Sequence, residues 1–113
     1  MPLEERYITF DLNEIYQSVQ MRCVREELPM PPKGVPSKLE MDGDDHSDKA
    51  PIFLHLKTEK GMERVEYERT FFALGLVFFC QGSGIPLPAK GKKTLKIVED
   101  KIIMKIDLMS QPK

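Results

Sequence analysis

Cys23, Cys80, His46 and His55, with the alternating acids Asp42, Asp44 and Asp48, are the side chains whose types could hold a metal ion or arm a nucleophile. Thiolates and imidazoles bind zinc, but structural zinc sites present their ligands in close pairs such as CxxC or HxxxH, and no such pair occurs here. Clustered carboxylates bind calcium. An EF-hand loop starting at Asp42 would need glycine and glutamate where Ser47 and Phe53 stand. The expectation for Asp42–Asp48 is therefore a solvated loop, with no metal and no cofactor. A cysteine nucleophile requires a thiolate and an approach for substrate, and both cysteines fall within apolar helical stripes where neither is available. They read as packing thiols, His55 reads as a hydrogen-bonded strand residue, and no catalytic residue is expected. A disulfide joining Cys23 to Cys80 would require the two positions to meet across a two-fold axis; free thiols are the simpler expectation.

Lys90, Lys92, Lys93 and Lys96, with Lys101 and Lys105 close behind, form the one concentrated basic segment, and they are the candidate residues for binding an anion or a partner. Lysines on a loop and the strand after it can contact phosphates, and Gly91 would let the backbone approach. The alternative is that they blunt an exposed sheet edge. The chain has no tryptophan, and no aromatic is interleaved with these lysines, so a base-stacking platform is not supported. Gly82, Ser83 and Gly84 follow a helix instead of opening one, which makes them a C-cap and not a phosphate cradle. Glu63, Arg64, Glu66, Glu68 and Arg69 read as a solvated, mixed-charge strand face.

The elements that must position these residues come in two matching sets. Cys23 and the peptide Leu28, Pro29, Met30, Pro31, Pro32, Lys33, Gly34 recur as Cys80 and Ile85, Pro86, Leu87, Pro88, Ala89, Lys90, Gly91, at a constant offset of 57. Upstream, Phe10 meets Tyr67, Ile15 meets Phe72, Val19 meets Leu76 and Met21 meets Phe78 at the same spacing. An internal repeat over about 7–58 and 64–109 explains this better than composition does. Each unit reads β-α-β-β. Asp11 and Glu14 have the spacing of a capping box, Phe10 and Ile15 that of a hydrophobic staple, and Leu12, Ile15, Tyr16, Val19 and Cys23 make an amphipathic stripe that must end before Pro29. A second helix over 71–81 is apolar nearly all round; its strand propensity leaves a strand as the minority alternative on local evidence, and its alignment with the first helix favours the helix. Strands are expected at 7–10, 37–41, 52–58, 62–68, 94–98 and 102–109. The proline crossings read as scaffolding, with Leu28, Met30, Ile85 and Leu87 as buried pegs. A core of Ile15, Val19, Leu54, Leu56, Phe72, Leu76, Val77, Phe79, Ile102 and Ile106 follows.

The fold class expected is α+β: a single domain over 1–113 made of two pseudo-symmetric units, about six mostly antiparallel strands with two helices packed on one face, and a flexible tail at 110–113. With 113 residues, 41% of them hydrophobic, the two halves have to share one core. A formal net charge of −1 removes the electrostatic case for a dedicated nucleic-acid or anionic-membrane binder. The first residues lack a secretory pattern and no apolar run approaches the ~20 residues of a spanning helix, so a cytoplasmic, membrane-free protein is expected. The function expected is that of a small non-enzymatic interaction or scaffold protein. Its partner would be another protein or a second copy, since the second helix looks more apolar than a small core can absorb. Nucleic-acid or polyanion binding along the 90–96 segment is the alternative.

Overall fold

The structure is a computed structural model that describes residues 3–41, 50–87 and 91–109. The chain runs β1 (Leu3–Phe10), α1 (Leu12–Arg25), β2 (Val35–Met41), β3 (Pro51–Thr58), β4 (Gly61–Glu68), α2 (Arg69–Gly82), β5 (Lys92–Val98) and β6 (Lys101–Met109). All strand pairs are antiparallel, and they form two three-stranded sheets ordered β1-β6-β5 and β2-β3-β4. The fold is therefore an α+β single domain of six strands and two helices. Helix α2 starts and ends 57 positions after α1, and β5 starts and ends 57 positions after β2. Pairing crosses between the halves of the chain: β1 joins the β5–β6 hairpin, while β4 joins β2 and β3.

Local chemistry explains the helix limits. Asp11 Oδ1 accepts from the Glu14 amide and Glu14 Oε1 accepts from the Asp11 amide, both at 2.9 Å, which closes the expected capping box. Both helices end in the same Schellman arrangement. The Leu28 amide donates to the Cys23 carbonyl and the Ile85 amide to the Cys80 carbonyl, each at 2.8 Å. The residue that turns the chain is left-handed in both cases, Glu27 at φ 56° and Gly84 at φ 74°. Helix α2 opens at Arg69, earlier than expected, after an N-cap Glu68 that makes no side-chain capping bond.

The helices pack side by side on the inner faces of the two sheets. At their crossing Gly75 lies against Ser18, its own counterpart at offset 57; a Cβ on Gly75 would come within 2.8 Å of the Ser18 carbonyl oxygen. Ser18 keeps its hydroxyl satisfied within the helix by donating to the Ile15 carbonyl at 2.6 Å. Nine residues of the expected core are buried, and they join Phe10, Cys23, Ile52, Cys80 and Met104 in one cluster. Val77 is the exception: it packs against the cluster's margin and is only partly buried. Phe10 and Phe79 meet edge to face at 6.2 Å, which ties β1 to the helix of the other half.

The two sheets do not merge into one ladder. Their facing edges, β2 and β5, are joined by side chains instead: Asp100 accepts from the Leu39 amide at 3.1 Å, and the Arg69 guanidinium donates to the Leu95 carbonyl at 3.1 Å and to Met41 Sδ at 2.9 Å. A register shift between Pro36 and Lys38 bends β2 at the point where proline cannot donate to a ladder. The first proline crossing is anchored by the Tyr16 hydroxyl, which donates to the Pro32 carbonyl at 2.6 Å. Here Pro31 is the buried residue, whereas the expected pegs Leu28 and Met30 are exposed; the Schellman turn has already used the Leu28 position to close the helix.

Candidate functional site

Residues 42–49 and Lys90 lie outside the described residues, so the acidic loop with His46 and one of the four candidate lysines carry no structural account. The remaining lysines are split by strand alternation. Lys92 and Lys96 are exposed on one face of β5, and Lys93 is half-buried on the other with Leu95 and Ile97. Across the outer face of this sheet Lys92 stands opposite Asp107, and Lys105 lies 3.6 Å from both Glu5 and Asp107. Those two carboxylates hold the Lys105 ammonium above its usual range, Asp107 more than Glu5. The outer face is thus a mosaic of both charges rather than a uniform basic surface.

The lysines instead contribute to a cavity. Lys92, Lys93, Thr94 and Leu95 line a space of about 380 Å³ with Arg69, Thr70 and Ala73 from the first turns of α2. Arg69, expected on a solvated face, is 5% exposed and is fixed to both sheets by the bonds described above. Opening the helix at residue 69 turned a strand charge into a buried one. The signal was present in the offset: Arg69 stands where Leu12 stands in the first half, a cation in an apolar place.

A second cavity, of about 430 Å³, occupies the matching place at the start of α1 and is lined by Leu12, Asn13, Val35 and Pro36 with Asp11, Glu99, Asp100 and Lys101. Its four named helix and strand residues precede Arg69, Thr70, Lys92 and Lys93 by 57 positions. The cavities occupy corresponding positions and differ in charge.

The cysteines and His55 do not converge. Cys23 and Cys80 are free and fully within the core, and burial, ahead of every other influence, raises both thiols above their ordinary range. Beside Cys23, burial and the neighbouring thiol push the Tyr67 phenol up to about 12. His55 lies on the outer face of the second sheet, its Nε2 2.8 Å from Glu40 Oε1. This bond lowers the Glu40 carboxyl below its usual range. Among the described residues, no three metal-ligating side chains gather.

The other surface feature is the outward row of α2. Thr70, Leu74, Val77 and Gln81 follow one another there, with Leu74 37% exposed and Val77 partly buried. Their counterparts on α1, at offset 57, are Asn13, Gln17, Gln20 and Val24. Beside the row, the Arg22 guanidinium covers the Phe71 ring at 4.3 Å and that of Arg25 covers the Phe78 ring at 4.4 Å. No helix among the described residues is long and apolar enough to cross a membrane.

Comparison of the chain with protein-family models, with curated proteins and with solved structures finds no match.

Proposed function

We propose that the chain is a non-enzymatic interaction protein that pairs with a second copy of itself through the outward row of α2. The observation that carries this reading is the contrast between two helices in one frame. Gln17 and Gln20 serve the first helix adequately, so the fold does not require Leu74 and Val77 on the second. Apolar residues exposed beyond what folding needs are characteristic of contact surfaces. The row also complements itself. In an antiparallel two-fold pairing, Leu74 of one copy meets Val77 of the other and Thr70 meets Gln81, apolar on apolar and neutral polar on neutral polar. Helix α2 contains a single charged residue, the buried Arg69, so two such rows can meet without stranding a charge. The buried free thiols suit a reducing cytoplasm.

Sedimentation at micromolar concentration tests the proposal. The native chain is expected to have the mass of a dimer, and the double variant Leu74→Gln/Val77→Gln that of a monomer with unchanged circular dichroism. A native chain that remains monomeric throughout that range contradicts self-association.

A second reading, polyanion binding, draws on Lys92 and Lys96 standing outward on β5. It requires counterion release. Oligonucleotide binding that hardly changes between about 50 and 200 mM salt would exclude it.

A further inference from the structure

We infer that the chain has a second associated form, in which two copies exchange halves about the turn at Glu59 and Lys60, and that Gly61 is the residue that holds it in the single-chain form. Strand pairing makes this exchange available. Among the described residues β1 pairs only with β6 and β4 only with β3, so each half lends its first strand to the hairpin of the other. The helices meet in the same reciprocal way, Gly75 against Ser18, and so do Phe10 and Phe79. Neither half is complete alone. What completes it is the surface of the other half, and a second copy presents that surface unchanged. The covalent link between the halves is the two-residue turn between Thr58 and Gly61, which face each other at the end of the β3–β4 ladder.

Closing that turn demands a special backbone. Gly61 takes φ 112°, a value that residues with a Cβ rarely adopt, and nothing lies within 4 Å of a Cβ placed there. The Thr58 hydroxyl braces the turn: it accepts from the Lys60 amide at 3.1 Å and stands 2.9 Å from the Gly61 carbonyl oxygen and 2.7 Å from Glu63 Oε2. In the exchanged dimer β3 runs straight on into β4, so residue 61 takes the extended φ open to any residue while the contacts between halves are kept. The two forms then differ at the hinge and in the entropy of association. A closed turn gives each half its partner at high effective concentration, which is why the native hinge favours the single chain. Exchange uses neither Leu74 nor Val77, so it stands or falls independently of α2 pairing.

The test is made in the Leu74→Gln/Val77→Gln background, which removes α2 pairing, with Lys57→Cys/Met62→Cys added as a reporter; these two exposed positions face each other across β3 and β4. Gly61→Val leaves the contacts between the halves in place and penalises only the closed turn. Refolded at high micromolar concentration, it is expected to sediment as a dimer with native circular dichroism. After oxidation it should run as a covalent dimer under denaturing, non-reducing conditions, because the reporter disulfide then joins two chains. Relief at both hinges lowers the concentration needed for exchange by about a hundredfold, roughly tenfold for each. The unaltered turn, and Gly84→Val, which carries a similar backbone cost at the end of α2, are expected to stay monomeric with the disulfide inside one chain. Should Gly61→Val not fold, Thr58→Val, which unbraces the same turn, provides the comparison. A Gly61→Val chain that stays monomeric, a dimer whose denatured chains run singly, or equal dimerisation by Gly84→Val overturns the inference.

Discussion

Glu27 and Gly84 perform the same task with unequal suitability. Both sit in the left-handed region at the end of a helix, where a Cβ crowds the neighbouring carbonyl and glycine has none to crowd. Glu27 is exposed, and no described side-chain bond rewards its carboxylate for the position. Glu27→Gly is accordingly expected to stabilise the fold by about 0.5–1 kcal/mol in chemical denaturation, the strain relieved exceeding the chain entropy glycine adds. No gain, or a loss, would mean that the Schellman turn tolerates glutamate without cost. Arg69 shows the limit of reading single residues. Its position next to Glu66 and Glu68 suggests a solvated ion pair, and only the helix beginning two residues earlier than the apolar pattern implies turns it inward. Lys93 was similarly hard to place, because a run of lysines conceals the alternation that separates it from Lys92 and Lys96.

At the level of elements, the packing of α1 on α2 depends on how little lies between them. The Gly75 position faces backbone, which cannot rotate away as a side chain could. Gly75→Ala should therefore separate the helices and destabilise the protein by about 1–3 kcal/mol, the usual cost of overpacking, despite alanine's better helix propensity. Thermal melting would check this, and an unchanged or raised midpoint would show that the crossing has slack. Much of this level could be read in advance. Capping chemistry at Asp11 and Glu14, three- and four-residue apolar spacing, and alternation from Ile52 to Leu56 and from Ile102 to Ile106 are local signals, and the helices and strands they imply are present. The bend in β2 was not legible, since Pro36 alone does not say which residue of the strand will be left over.

Across the whole molecule, strand partners were the part that local pattern could not supply. Alternation shows which face of a strand is buried but says nothing of who lies beside it, so the division into two sheets and the pairing of β1 with β6 are set by long-range packing that no local pattern carries. Leu3 pairs with Met109, just as Gly61 pairs with Thr58 across the turn that joins β3 to β4. We read this correspondence as the mark of a doubled unit. It predicts that a permuted chain, opened between Glu59 and Lys60 and closed by a short glycine-rich linker from β6 to β1, folds with the native circular dichroism and a single cooperative melt. Loss of cooperativity would show that the two connections are not interchangeable. The candidate site depends on the same scale. Its residues lie on α2 and β5, and the cavity they share takes its meaning from comparison with α1 and β2.

The pairing of β1 with β6 also bears on how the polypeptide is made. Ribosomes extend chains at about 5–20 residues per second, so several seconds separate the emergence of the two strands. Throughout that interval the leading strand has no hydrogen-bonding neighbour, while the sheet built from β2, β3 and β4 can already close. The exposed Glu5 and Arg6 give the waiting segment a charged, poorly adhesive rim until translation delivers its mate.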